Sequence, residues 1–498
     1  MAPLRNIETR VVNQEEPQPV RNKGLELLND PWRNKGTAFT TEERLTLGLS
    51  GLLPPHIADM EEQVQRVMEN FRRKTDPLEK YVYLTGLGDR NITLFYRVVM
   101  EHLMEMTPIL YTPTVGFACQ QFGHIYRKNR GLYVNYFHKG RIAKVLDNWP
   151  CDDVDIIVVS DGSRILGLGD LGANGMGIPI GKLALYVAGA GLHPQRTLPI
   201  LLDMGTDNED LLNDPLYLGI TRRRVHGEDF YEVIDEFVEA VKERWPNVLI
   251  QWEDFTNDKA FPLLERYREQ VLSFNDDIQG TGAVALSGLL SAMRYKQEIL
   301  KDQRIVFYGA GSAAVGIAEM ICAGMCEESG ISLEEARQRF WLLDSKGLVT
   351  TDRLESLQEH KLPYARDEKP AGTLLEVVER VKPTIIVGVS GQPQTFDQDV
   401  VQTMHSHCDR PVIFALSNPT SKSECTAEQA YAWTGGQAIF ASGSPFDPVE
   451  INGRTYVPGQ GNNMFIFPGV GLGAVMCGAT KITDAMFFTA AKTLAHMV

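Results

Sequence analysis

The sequence predicts an α/β protein with a helical N-terminal domain. Three observations carry that prediction. Apolar residues recur at helical spacing before about residue 130, short β-branched runs alternate with longer helical segments after it, and a glycine-rich turn separates a strand from a helix near residue 310. At 498 residues the chain is long enough for several cores, since domains usually hold about 100 to 200 residues each. The expected boundaries are 1–130 for the helical domain, 131–277 for an α/β domain that binds substrate and metal, 278–460 for a dinucleotide-binding domain, and 461–498 for a C-terminal return to the second domain.

The helical reading begins at Thr40, Thr41, Glu42 and Glu43, a sequence suited to capping a helix start. Leu94, Phe95, Val98 and Val99 then repeat at the spacing of one helix face. From about Gly131 the pattern changes. Apolar runs ending in polar or acidic residues predict strands over Asp155–Val159, Leu198–Leu202, Val248–Trp252 and Val271–Phe274. A second set covers Arg304–Tyr308, Phe340–Leu343, Thr384–Val387, Val412–Leu416 and Ala438–Phe440, with Gly280–Leu300 as a turn and helix connecting the two sets. No repeat of 20 to 50 residues and no low-complexity tract interrupts them.

Lys and Arg total 49 against 64 Asp and Glu, a formal charge of −15, so the molecule as a whole repels phosphate backbones and anionic membranes. Nucleic acid is therefore not expected as a partner, and no apolar run approaches the roughly 18 residues that span a bilayer. The first stretch, MAPLRNIETRVVNQEEPQP, has neither an apolar core nor an Arg-rich transit character, so the expected compartment is the cytoplasm. Seven scattered cysteines fit reduced thiols rather than a disulfide framework, and Cys322 and Cys326 read as small buried hydrophobes on one helix face. The run Arg222, Arg223, Arg224 reads as a solvated or subunit-facing loop, with an anion site as the alternative.

The segment RIVFYGAGSAAVGIAEMI places a strand before Gly309, Ala310, Gly311, Ser312, Ala313 and Ala314, and a helix after them. Such glycines permit a tight turn and a close backbone approach to a pyrophosphate, whose charge the free amides of the helix start would bind. This is a Rossmann-type, doubly wound pattern. The next strand ends at Asp344, placed to meet an adenine ribose, and Ser345, Lys346 and the later Lys361 suit a 2′-phosphate; NADP is the favoured cofactor and NAD the alternative.

Glu253 and Asp254 follow one predicted strand, Asp276 and Asp277 another. Acids gathered outside the carboxyl ends of parallel strands repel one another unless a cation sits among them, and hard oxygen ligands select Mg²⁺ or Mn²⁺. Because strand side chains alternate, Glu253 and Asp254 can both face one ion only where the chain has left strand geometry. Lys182 falls in what reads as the first turn of an amphipathic helix, where the helix N-terminus and a nearby divalent metal both disfavour a cation and could let the amine act as a base, with an ordinary solvated lysine as the alternative. Arg164 is a candidate partner for a substrate carboxylate, with a structural salt bridge as the alternative.

These residues stand in long motifs: YTPTVG, SDGSRILGLGDLG, GIPIGKL, WEDF, FNDDIQGTG, GAGSAA, LSNPT and PGQGNN, in order from about Asn22 to about Thr480. Together they resemble the malic enzymes, which oxidatively decarboxylate malate to pyruvate and CO₂. The resemblance implies that Glu253, Asp254 and Asp277 bind the divalent metal, Lys182 is the general base with Asp276 beside it, and Tyr111 is the general acid. It implies that Arg164, Asn418 and Asn463 hold malate, and that Ser345, Lys346 and Lys361 contact the 2′-phosphate of NADP. A homo-oligomer, dimer or tetramer, is expected on the same ground. Arg66 and Arg90 stand where some relatives bind an activating dicarboxylate, and ordinary interface or salt-bridge roles are the alternative. Malolactic enzymes, which keep the metal and the lysine but release lactate, are the nearest rival reading, and a non-catalytic dinucleotide sensor is a remote one.

Overall fold

A computed structural model describes residues 22–418 and 420–498. The first stretch, MAPLRNIETRVVNQEEPQP, and Pro419 of LSNPT lie outside the described residues. The chain divides into two compact units, one running up to Thr256 with Gly471–Thr480 added, the other comprising Asn257–Val470 and Lys481–Val498.

The first unit opens with helices whose ends are written in the sequence. Thr40 and Glu43 form the anticipated capping box ahead of Thr41–Thr46. Asp59 caps Met60–Arg72 in the same way, and Asp76 caps Pro77–Gly88, where Pro77 costs no hydrogen bond in the first turn. Ile92–Glu101 starts at the Asn91 cap and buries Leu94, Phe95, Val98 and Val99, the face picked out by its spacing. These side chains share one core with Phe71, Leu84 and Met106.

Four parallel strands follow: β1 (Leu132–Asn135), β2 (Ile156–Ser160), β3 (Thr197–Asp203) and β4 (Leu249–Trp252), paired in the order β1-β3-β2-β4. Every residue of β2 and β4 is buried, as expected of parallel strands covered on both faces. The register sets Val159 beside Trp252, so β2 and β4 end together and deliver Asp161 and Glu253 to the same edge. The sequence reading passed over β1, an edge strand of four residues with one fully buried side chain.

The second unit contains a short strand β5 (Ser273–Asn275), a single wide helical turn over Asp276–Gly280, and the long helix Thr281–Lys296. Its main sheet is built from β6 (Ile305–Tyr308), β7 (Phe340–Asp344), β8 (Gly347–Leu348), β9 (Ile385–Gly388), β10 (Val412–Ala415), β11 (Ile439–Ser442) and β14 (Gly459–Gln460), while β12 (Val449–Ile451) and β13 (Arg454–Tyr456) form a separate hairpin. The order β14-β11-β10-β9-β6-β7-β8 places consecutive strands on opposite sides of β6, the reversal of winding at which dinucleotides bind. Gly282 lets Thr281–Lys296 approach the helix Ser312–Ser329, since a Cβ there would lie 2.7 Å from Met320. Among the described residues no helix is long and apolar enough to cross a membrane, and all seven cysteines are free thiols.

Candidate active site

The first unit positions a buried polar chain at the carboxyl end of its sheet. Strand β4 stops at Trp252, and two residues later Asp254 adopts a φ of 55°. This break from strand geometry meets the condition for neighbouring acids to face one way. Glu253 is held from both ends of its carboxylate. Its Oε1 lies 2.9 Å from Lys182 Nζ, with the two side chains 3% and 1% exposed. Its Oε2 accepts a 2.8 Å hydrogen bond from Gln251, whose own carbonyl accepts one from Tyr186 at 2.6 Å. Charges this deeply buried persist only when paired. Gln251 and Tyr186 are the missed members of the chain, visible in sequence only as one polar residue inside an apolar strand and one tyrosine inside a helix.

Lys182 corrects the sequence reading in two respects. The helix runs Gly177–Ala190, which makes Lys182 its sixth residue, a turn deeper than expected. It is not amphipathic, for ten of its first eleven residues are buried. The glycine-rich 3₁₀ segment Gly172–Met176 runs straight into it and moves the start toward Lys182 only as far as Gly177. Since the end effect of a helix fades within its first turn, the N-terminal argument for Lys182 as a base falls away. What distinguishes this amine is its setting: nearly complete burial, the Glu253 contact, and a place 5.6 Å from the ring centroid of Tyr111. Tyr111, 4% exposed, ends the helix Leu103–Leu110, and Gly181 admits that close approach because a Cβ there would lie 2.7 Å from the Leu110 carbonyl.

Arg164 is exposed, on a loop stitched to the acids beside it. Its amide donates to the Asp254 carbonyl at 3.2 Å, Leu166 N donates to Asp254 Oδ1 at 3.3 Å, and Thr256 N donates to Ser163 Oγ at 3.1 Å. The loop is braced from below by Arg224. Its guanidinium, 2% exposed, donates to the Asp161 carbonyl at 2.9 Å and grips both oxygens of Asp170 at 2.5 and 3.0 Å. Burial opposes the Arg224 charge, yet Asp161 and Asp170 hold its pKa above the ordinary value. The reading of the arginine run as a solvated loop therefore fails for Arg224 and holds for Arg222 and Arg223, which are exposed. A triplet of like residues gave no sign that the third turns inward.

In the second unit the wide turn after β5 carries Asp276 and Asp277. Asn275 caps it by accepting from Ile278 N at 3.0 Å, and Gly280 is required because a Cβ would sit 1.9 Å from Asp276 Oδ1. Asp276 is fully buried. Asn463 donates to its carbonyl at 3.0 Å and its carboxylate at 3.1 Å, and also meets Thr281. Of the three acids expected to hold a metal, Glu253 and Asp254 are buried in the first unit and Asp277 is half-buried on this turn of the second.

The cofactor motif lies where its strand and helix were expected. Gly309 takes a φ of 115°, and a Cβ there would come within 2.9 Å of the Val389 carbonyl. Ala310 is buried, Gly311 caps the helix Ser312–Ser329, and Ala313 is half-buried in its first turn. A second short helix, Leu333–Arg337, fills the long interval before β7. Asp344 ends that strand beside β6 and accepts from Lys346 N at 2.9 Å, Arg353 at 3.0 Å and Lys361 at 3.3 Å. Burial raises the Asp344 carboxyl, but these donors outweigh it and leave the pKa below the ordinary value. Ser345 and Lys346 are exposed next to it. Arg353 was not foreseen, since nothing in its local sequence marks it. Asn418 is exposed, and its carbonyl accepts from Ser444 at 2.6 Å.

Comparison with known proteins gives concordant results. Residues 88–268 match the family described as "Malic enzyme, N-terminal domain" and residues 278–498 match "Malic enzyme, NAD binding domain". An NADP-dependent malic enzyme of Dictyostelium discoideum is 54% identical over 481 residues, covering 96% of this chain and 88% of that one. An NADP-dependent malic enzyme of Phaseolus vulgaris is 50% identical over 476 residues, covering 95% and 81%. Among solved structures, the malic enzyme of Entamoeba histolytica aligns with a TM-score of 0.52 at 21% identity over 90% of this chain and 79% of that one, a likeness of fold.

Proposed function

The chain belongs to the malic enzyme family, and from that premise we infer that it oxidatively decarboxylates malate to pyruvate and CO₂ with reduction of NADP. The observation that carries the reading is the pairing of a buried acid–lysine cluster in one unit with a dinucleotide turn and its Asp344 cation group in the other. Glu253, Asp254 and Asp277 would hold Mg²⁺ or Mn²⁺. The fit rests on the hard oxygen donors these acids offer and on the φ of Asp254, which brings two sequence neighbours to one side. A divalent cation there supplies Lewis acidity, easing loss of a hydroxyl proton and withdrawing charge from a carbonyl oxygen. NADP, bound in the second unit, would supply the hydride acceptor.

The chain's own groups do the rest. Lys182, as the neutral amine, takes the proton of the malate carbon-2 hydroxyl and becomes the ammonium that Glu253 then pairs, and its burial keeps that proton from bulk water. Asp276, anchored by Asn463, would assist it. Arg164 pairs with a malate carboxylate in bidentate fashion, held out on a loop that Arg224 stiffens. Asn418 and Asn463 complete the hold on malate. Once CO₂ leaves from carbon 4, Tyr111 protonates the enol carbon to give pyruvate.

The bound NADP would rest its pyrophosphate on the turn of Gly309, Ala310, Gly311, Ser312 and Ala313, and its 2′-phosphate on Ser345, Lys346 and Lys361. NAD is the weaker candidate, since a free 2′-hydroxyl brings no negative charge for Lys346 and Lys361 to meet. A cytoplasmic homo-oligomer of two or four subunits completes the proposal; light scattering on the purified protein tests the assembly. The activity is tested by incubating the protein with malate, Mn²⁺ and NADP and quantifying pyruvate, lactate and NADPH. Equal pyruvate and NADPH support the reading. Lactate without net NADPH overturns it in favour of a malolactic activity.

A further inference from the structure

We propose that Glu424 is a positioning residue for the nicotinamide half of the cofactor, its buried carboxylate tying the loop after β9 to the loop after β10. The proposal rests on the reading of the second unit as an NADP site. Strand β6 carries the Gly309 turn, β7 on one side carries Asp344, and β9 and then β10 lie on the other side. A dinucleotide that crosses β6 with its adenosine at Asp344 sends its nicotinamide over the carboxyl ends of β9 and β10. Those ends are in register, Ala415 beside Gly388.

Glu424 sits beneath both loops with no exposed surface. Its Oε1 accepts from Ser417 Oγ at 2.5 Å, from Ser390 N at 3.2 Å and from Ser390 Oγ at 3.3 Å, and its Oε2 meets Ser417 N at 3.5 Å. Each serine passes the constraint upward. Ser417 Oγ accepts from Gly391 N at 2.9 Å, and Ser390 Oγ accepts from Gln392 N at 3.1 Å. Asn418 follows Ser417 directly, so the carboxylate fixes the stem of a proposed malate ligand as well. The backbone holds the acid in turn, for Phe396 N donates to the Glu424 carbonyl at 3.0 Å. Gly388 makes room for it, since a Cβ there would lie 2.4 Å from the Glu424 carboxyl carbon.

Burial raises the Glu424 carboxyl against the pull of the Ser417 and Ser390 donors. A buried acid shared by two loops is a costly tie, and its geometry is specific to the pair it joins. Nothing in this arrangement reaches the adenosine end at Asp344, and that gives the test its discrimination.

The experiment titrates the full chain calorimetrically with NADP and with 2′-phospho-ADP-ribose, which lacks the nicotinamide ring. Glu424→Ala should weaken NADP about tenfold, as expected when buried donors lose their acceptor, and leave the ringless ligand within about twofold. Glu424→Gln keeps one accepting oxygen and should recover most of the NADP affinity. Ser390→Ala removes the hydroxyl that donates to Glu424 and accepts from Gln392 N, leaves the backbone donor in place, and should show the same selective loss at about threefold, which keeps the proposal testable if Glu424→Ala does not fold. Equal weakening of both ligands, or no change in any variant, overturns the proposal while leaving the NADP reading intact. A wild-type chain that binds neither ligand overturns the NADP reading and the proposal with it.

Discussion

Replacing Lys361 by Ala should turn the enzyme's preference from NADP toward NAD. Around the ribose position stand one carboxylate, Asp344, and the two cations paired with it, Arg353 and Lys361, so the group carries one net positive charge before the exposed Lys346 is counted. A 2′-phosphate brings about 1.5 to 2 negative charges at neutral pH. At about 4 Å and the dielectric of water, each pair of unit charges is worth about 1 kcal/mol. The Lys361 side chain is only 13% exposed, which places the true screening between water and the protein interior. Its loss should therefore cost NADP about 2 kcal/mol, a roughly thirtyfold fall in kcat/KM. NAD has no charge at that position and should stay within about twofold. Asp344 keeps Arg353 at 3.0 Å, so the carboxylate remains in place for a ribose hydroxyl. Initial rates with each cofactor at saturating malate and Mn²⁺ give the ratio. A parallel loss for both cofactors, or none for NADP, would refute the assignment of Lys361 to the 2′-phosphate.

Lys182→Met should lower turnover at least about 100-fold while NADP affinity by calorimetry stays within about twofold, as the loss of a general base requires. Arg224→Met strands Asp161 and Asp170 and should cost about 3 to 5 kcal/mol in urea unfolding, the usual penalty for breaking a buried pair. Gly162→Ala places a Cβ 2.0 Å from the Gly172 carbonyl at a φ of 68°, and should lower the thermal midpoint or the soluble yield. The Asp344 carboxyl is held below its ordinary value, so it stabilises the fold above an unfolded pKa of about 4 and that support drains away as pH falls through the lower folded value. Accordingly Asp344→Asn should lower the unfolding midpoint at pH 7, with the difference from wild type shrinking in acid.

The nine strands read from the sequence are all present, because buried parallel strands are continuous apolar runs that end in polar residues. The residues that bring chemistry to the strand ends were legible for the same reason: Glu253, Asp254, Asp276, Asp277 and Asp344 each follow such a run. Short edge strands such as β1 and β8, four and two residues long, are too brief for a pattern to register. Lys182 was misplaced by a turn because glycines between Gly172 and Gly181 gave no hydrophobic period from which to fix the helix start. Arg224, Arg353, Gln251 and Glu424 were invisible as partners. Their importance comes from contacts across long stretches of chain, such as Arg224 with Asp161 and Glu424 with Ser390, and local pattern does not encode long-range pairing.

The account depends on three carboxylates serving one ion, and titration of Mn²⁺ monitored by electron paramagnetic resonance tests that most directly. The wild-type chain should take up one Mn²⁺ per subunit, and Glu253→Gln, Asp254→Asn and Asp277→Asn should each weaken uptake, with the triple variant retaining none above background. A triple variant that binds Mn²⁺ as tightly as wild type would contradict the account.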